Sequence, residues 1–212
     1  MLLIGMYDSP FVRRVAISMK LLGVPFEHGD WSVGRDFDRI RNHNPLGRVP
    51  TLVTDQGENL MESGAILDYL DELAGPERAL LPRAGAERRQ ALNLMAMATG
   101  AAEKGLLQIY ERVFRPEEKR HQPWLDRCRT QMNGSLAGID RYLGERGASQ
   151  WSVGTRMTQA DITAVCAFTF LNDALHVAAD PVMFHSLATL ASRCEAIPAF
   201  QETRVPFNVP NG

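Results

Sequence analysis

The stretch RVPTLVTDQGENLMESGAILDYLDELAG, residues 48 to 75, carries the pattern on which the fold turns. Its first half reads as two β runs joined by a turn at Asp55, Gln56 and Gly57, and its second half as a helix ending at Gly75. Working back toward the N-terminus, RDFDRIRNHNP supplies a short helix before an Asn-Pro breaker, and PFEHGDWSV a strand. Before these, Val12, Val15, Ala16 and Met19 recur at helical spacing up to Gly23, a natural C-terminal stop, and LLIGMY is an apolar run suited to a buried strand. The first 75 residues therefore read β-α-β-α-β-β-α.

The pattern breaks at GPERALLPRAG, where two prolines and two glycines in eleven residues interrupt any period, and it then becomes helical almost throughout. Leu92, Met95, Thr99, Ala102, Leu106, Ile109 and Val113 step by threes and fours, as do Leu125, Cys128, Met132, Leu136, Ile139 and Leu143. TQADITAVCAFTFL is apolar nearly all round, the mark of a helix buried at the centre of a bundle. Thr158 and Asp161 stand three apart at its start, an Asp variant of the capping box. A last helix is expected from Pro181 to Glu195, before the Ile197-Pro198 step. The expected layout is a small α/β domain over 1–75, a linker over 76–87 and an all-helical domain over 88–212.

A chain of 212 residues, 45% hydrophobic, can fill a substantial core. Its net charge of −2 gives no overall pull toward nucleic acid or an anionic membrane, so any charge that matters must be local. MLLIGMYDSP lacks a basic leader and a long apolar run, and no window approaches the roughly 18 apolar residues of a spanning helix, so a cytoplasmic protein is expected. The cysteines, Cys128, Cys166 and Cys194, have no C-x-x-C pair, and the first and second fall within apolar helical patterns suited to core packing. His43, His176 and His185 show no paired ligand spacing, so no metal is expected.

The chemistry concentrates in three short segments. In YDSPFVRRVA, residues 7 to 16, Ser9 and Pro10 fit an N-cap and first helical position. The hydroxyl either satisfies an orphan N–H, or it belongs with the free N–H groups to a site that stabilises an anion. Arg13 and Arg14 either strengthen that positive corner or lie solvated on the surface. In GRVPTL, a cis Val49-Pro50 bond would turn the Val49 backbone outward to pair with an extended peptide. In MESGAI, Glu62 and Ser63 open another helix, where hydroxyl and N–H groups could hold a carboxylate while Glu62 meets an ammonium, or simply cap the helix.

SPFVRRV, NPLGRVPTL, ESGAI and VGTRMTQADI, in this order and at this spacing, resemble the cytosolic glutathione transferases over essentially the whole chain, with the Ser-Pro-Phe-Val-Arg form most similar to bacterial members. The resemblance implies a thioredoxin-like N-terminal domain followed by a helical one, and a homodimer. It makes Ser9 the hydroxyl that donates to the sulfur of the co-substrate glutathione, with Phe11 close by, and Val49 the backbone partner of the cysteinyl unit beside a cis Pro50. Glu62 and Ser63 would bind the γ-glutamyl end, and Arg48 would lie near the glycyl carboxylate. Tyr7, two residues before Ser9, is the alternative hydroxyl, since other classes of the family use a tyrosine at the end of this strand. The absence of cysteine at either place weighs against the thiol-transferase and disulfide-reductase branches. The expected reaction is attack of the thiolate on a small hydrophobic electrophile, in a pocket near Tyr110 and Phe114. A glutathione-dependent isomerase of an unsaturated acid, expected to carry extra basic residues in that pocket, and a non-catalytic binding or regulatory protein are the alternatives.

Overall fold

The structure, a computed structural model, describes residues 1–147, 150–178 and 183–207. Strand β1 (Leu2–Ile4) leads into helix α1 (Pro10–Leu22), followed by β2 (Glu27–Gly29), α2 (Phe37–Arg41), β3 (Thr51–Val53), β4 (Asn59–Met61) and α3 (Ser63–Ala74). The sheet order is β2-β1-β3-β4, with β1 parallel to β2 and antiparallel to β3, and β4 antiparallel to β3. This is the expected thioredoxin-like mixed sheet, and Gly23, in the left-handed region at φ 68°, ends α1 as its position suggests.

Helices α4 (Gly85–Val113), α5 (Gln122–Arg146), α6 (Gln159–Leu175), α7 (His185–Glu195) and α8 (Pro198–Gln201) complete the described chain. Helix α4 begins at Gly85, three residues before the expected start of the helical domain at 88. Of the last long helix, the expected start at Pro181 lies outside the described residues. No helix among the described residues is long and apolar enough to cross a membrane.

Helix α6 is the hub. It packs against α1, α4 and α7, and its Ile162, Val165, Cys166, Phe170 and Leu171 are all buried. Its start is held as the sequence suggests: the Thr158 N–H and hydroxyl donate to Asp161 Oδ2 at 2.8 and 2.9 Å, and the Thr158 oxygen accepts from the Ala160 N–H. The other Asp161 oxygen accepts from the Ser152 N–H at 2.8 Å, tying the preceding loop to the same carboxylate. Helix α5 buries Leu125, Cys128, Met132, Leu136, Ile139 and Leu143, the whole anticipated stripe. Helix α4 departs from expectation. Leu92 is exposed, while Ala91, Leu94, Ala98, Ala101 and Gly105 are buried, because α4 packs against both α5 and α6 and so needs two inward faces.

Candidate functional site

The sheet register brings the three chemical segments together. Ile4 pairs with Thr51, and Thr51 pairs with Met61, so residues following β1, preceding β3 and following β4 emerge at one end of the sheet. Gly5 shows how closely they meet: at φ 131°, a Cβ placed on it would lie 2.8 Å from the Val49 Cβ and 2.5 Å from Val12 Cγ2. Only glycine fits this approach.

Ser9 is the N-cap of α1, in extended conformation (φ −73°, ψ 123°), with Pro10 as the first helical residue. Its carbonyl accepts from the Arg13 N–H at 2.9 Å, and its own N–H donates to Met6 O at 3.2 Å. Its hydroxyl makes no cap hydrogen bond, and the first turn contains no acidic residue. Among the described residues the hydroxyl is thus without a cap partner, at the positive end of the helix dipole. Phe11 is half-buried against the core. Tyr7 is placed differently: its ring stacks flat on His28, centroids 3.8 Å apart, and burial raises its hydroxyl pKa, with Asp30 and Glu202 adding to the shift. Beside Ser9, burial raises the Asp8 carboxyl, opposed by the Ser9 N–H, while Asp30 adds to the shift.

The Val49-Pro50 bond is cis. The loop before it is held by a residue to which the sequence reading gave no role. Buried Asn44 donates through Nδ2 to Arg48 O at 2.9 Å and Thr51 Oγ1 at 3.1 Å, and its Oδ1 accepts from the Leu46 N–H at 3.0 Å. The signal was available, since an Asn before Pro commonly closes a turn through its own side chain. Glu62 sits at φ 69°, unusual for a residue with a side chain, and its exposed carboxylate lies 3.7 Å from the Arg48 guanidinium. Both of these side chains stand on the rim, where such a pair contributes little to stability and can open to a ligand. Ser63, in contrast, is buried, and its Oγ accepts from Arg14 Nη2 at 2.8 Å.

The two arginines are where the sequence reading is corrected. Neither forms a positive corner around Ser9 and neither is solvated; both are buried against the helical half of the chain. Arg13 donates to both oxygens of Glu195 at 2.8 and 2.6 Å, and to the carbonyls of Phe200 (2.9 Å) and Thr203 (3.2 Å), fastening α1 to the C-terminal segment. Arg14 reaches under α3 to Ser63 and across to Thr163 Oγ1 at 3.2 Å, and burial brings its pKa down to about 10. The physical reason is helical geometry: four and five residues beyond Ser9, these side chains leave α1 a turn further on, facing the neighbouring helices and not the helix mouth.

Tyr110 and Phe114, at the C-terminal end of α4, are exposed and meet edge to face with centroids 5.2 Å apart. Burial raises the Tyr110 phenol pKa, Arg48 opposes the shift and Asp8 adds to it, so this ring stands within electrostatic reach of both the Ser9 loop and the Arg48 rim. The cysteines are all buried, and burial pushes Cys166 and Cys194 up to about 12, which leaves them as unreactive thiols. Among the described residues no group of three or more His, Cys, Asp or Glu side chains is placed to hold a metal ion.

The glutathione S-transferase N-terminal domain family matches residues 3–78. An uncharacterized GST-like protein of Escherichia coli, YibF, is 33% identical over 172 residues, spanning 81% of this chain and 82% of that protein. A maleylacetoacetate isomerase of Pseudomonas aeruginosa is 28% identical over 213 residues, spanning 97% and 95% respectively. Among solved structures, a glutathione S-transferase of Methylobacterium radiotolerans, in complex with glutathione sulfonate, superposes with a TM-score of 0.89 at 33% identity, covering 98% of this chain and 95% of that one.

Proposed function

Because this chain belongs to the cytosolic glutathione transferase superfamily, we propose that it binds glutathione across the β1–α1, α2–β3 and β4–α3 junctions and activates the thiol as a thiolate for attack on a small hydrophobic electrophile. In this reading residues 1–75 form the glutathione-binding domain, 76–87 the linker, and 88–212 the domain that contributes the electrophile pocket near Tyr110. The Ser9 hydroxyl donates to the sulfur, with Phe11 beside it. The Val49 backbone next to Pro50 pairs with the cysteinyl unit, Glu62 and Ser63 receive the γ-glutamyl ammonium and carboxylate, and Arg48 lies near the glycyl carboxylate.

The observation that carries the proposal is the Ser9 hydroxyl, which makes no cap hydrogen bond at a helix N-terminus, while the Tyr7 ring is held on His28. A thiol of pKa about 8.5 is only ~3% ionised at pH 7; lowering it by two units makes it mostly thiolate, for about 2.7 kcal/mol. A hydroxyl donor together with free N–H groups at a helix start supplies interactions of that order. The protein's contribution is then ionisation and proximity, and no metal takes part. Ultraviolet titration of glutathione on the purified protein tests it: a thiolate band at pH 7 is expected, and binding without such a band would identify a non-catalytic binder.

The similarity to the Pseudomonas aeruginosa isomerase along nearly the whole chain supports a second reading, a glutathione-dependent isomerase of an unsaturated acid. The same thiolate would add to the conjugated double bond, allow rotation about the resulting single bond, and leave again. Turnover of such an acid without net consumption of glutathione separates this reading from transfer. The working unit in either case is a cytoplasmic homodimer, with the small domain of one subunit on the helical domain of the other, and transfer to electrophiles would serve detoxification. Sedimentation as a monomer at micromolar concentration would remove the dimer.

A further inference from the structure

The loop that carries Ser9 is short and turns on a glycine. It runs from Gly5 to Ser9, joining the end of β1 to the first turn of α1. Gly5 must be glycine, because Val12 and Val49 fill the space where its Cβ would lie, and for the same reason it is the most freely turning joint of the loop. Beyond it the Ser9 N–H donates to Met6 O across a turn, at a long 3.2 Å. The Ser9 hydroxyl makes no cap bond, so its direction depends on the backbone that carries it.

His28, exposed on the edge strand β2, closes on this loop at two points. Its Nε2 lies 2.8 Å from the Gly5 carbonyl oxygen, and its ring stacks on that of Tyr7 with centroids 3.8 Å apart and planes 5° from parallel. A carbonyl oxygen only accepts, so Nε2 carries the proton and donates. The bond is kept whether or not Nδ1 is also protonated, so the grip does not depend on the charge of the ring. The hydrogen bond orients the imidazole, and the imidazole in turn offers its face to Tyr7. One side chain thus restrains both the turning joint of the loop and the aromatic residue two positions before Ser9. Its own place is fixed by strand pairing, opposite Leu3 of β1. A phenolate in this stack would oppose a nearby thiolate; burial raises the Tyr7 pKa, with Asp30 and Glu202 adding to the shift, and keeps the ring neutral. The fold alone asks for no imidazole at an exposed edge position, where any polar side chain would serve.

We propose that His28 is a positioning residue for thiol activation: by holding the Gly5 carbonyl and the Tyr7 ring together, it fixes the β1–α1 loop in the bend that sets the Ser9 hydroxyl at the mouth of α1. This rests on the reading in which Ser9 donates to the glutathione sulfur, and adds to it a residue from another strand that acts without touching the sulfur. Tyr7 then serves as the surface against which the loop is pressed, and its hydroxyl is not needed.

Two measurements separate this role from a merely structural one: ultraviolet titration of bound glutathione, which reads ionisation of the thiol, and calorimetry with S-methylglutathione, which reads binding alone. His28→Ala should raise the thiol pKa by half a unit or more, about threefold in the ionisation constant, while the dissociation constant for S-methylglutathione stays within twofold. His28→Phe keeps a ring for Tyr7 and His28→Gln keeps a donor for Gly5, so each should recover part of the shift. Because His28 acts through Ser9, adding His28→Ala to Ser9→Ala should raise the pKa no further than Ser9→Ala does. An unmoved pKa in His28→Ala, a full second shift in the double variant, or matching losses of ionisation and of S-methylglutathione binding would each overturn the proposal. Should His28→Ala fail to fold, the Phe and Gln variants decide, since an unmoved pKa in both also overturns it. Binding of neither ligand by the unaltered protein would instead remove the glutathione reading, and an unmoved pKa in Ser9→Ala would remove the role of Ser9, and this assignment falls with either.

Discussion

Removing the Asp161 carboxylate should damage the fold and spare the chemistry. The side chain is completely buried and accepts three hydrogen bonds, from the backbone N–H groups of Ser152 and Thr158 and from the Thr158 hydroxyl. In Asp161→Ala both N–H groups stay buried without an acceptor, at about 1–3 kcal/mol each, while the hydroxyl can rotate to another partner. The sum, about 4 kcal/mol, exceeds the ~1 kcal/mol of an ordinary helix cap because the carboxylate also holds the loop at Ser152. For a chain of this size each kcal/mol moves the melting temperature by about 2–4 °C, so a fall of about 10 °C is expected. Asp161→Asn offers a finer test. Its oxygen can keep both Thr158 contacts, but its amide then faces the Ser152 N–H, donor against donor, so its loss should fall between those of wild type and alanine. Differential scanning calorimetry measures both, alongside turnover at 25 °C on the folded fraction. Unchanged melting with lost turnover would refute the reasoning and move Asp161 into the catalytic machinery.

Ser9→Ala should raise the pKa of bound glutathione by one unit or more and lower turnover at pH 7 with little change in melting temperature, because the hydroxyl makes no cap bond. Tyr7→Phe should leave the pH-rate profile with a chloronitroaromatic electrophile in place, and a shift there instead would exchange the two roles. Ser63→Ala should weaken glutathione binding by about 1–3 kcal/mol, and an unchanged dissociation constant would remove it from the site. Two glycines of α4 should respond in opposite directions. Gly100 has open space at its Cβ position, so Gly100→Ala should stabilise by up to about 1 kcal/mol. At Gly105 the added methyl would lie 2.1 Å from Leu171 Cδ2, so Gly105→Ala should cost about 1–3 kcal/mol, and equal shifts in urea midpoint would contradict this packing.

Local signals carried much of the architecture. The α5 stripe could be read in full because that helix offers one main apolar face, and Gly23 ends α1 through a backbone conformation written into its residue type. Helix α4 was harder, since alanines and a glycine form one of its two inward faces and small residues give little hydrophobic contrast; Gly105 is buried because Leu171 occupies the space above it. Among the site segments, Ser9, the Val49-Pro50 step and Glu62-Ser63 were visible as helix starts and a Pro step, and the register of three strands brings them to one end of the sheet. The arginines were misjudged because nothing near them in sequence reveals their partners. Arg13 finds Glu195, Phe200 and Thr203, and Arg14 finds Ser63 and Thr163, all far along the chain.

The grip of Arg13 on the C-terminal segment also sets an order of events during synthesis. Ser9 and α1 leave the ribosome well before the partners of Arg13, since the carboxylate that neutralises it is 182 positions later and the Thr203 carbonyl 190. Until those residues emerge, α1 presents a bare guanidinium on the face meant for the helical domain, and a contact so distant in sequence forms late. A fragment ending at Gly75 would contain every residue assigned to glutathione, but it would leave Arg13 and Arg14 facing water without Glu195 and Thr163. Maturation of a site written within residues 1–75 therefore waits for the residues that bury these two arginines, Thr163, Glu195 and Thr203.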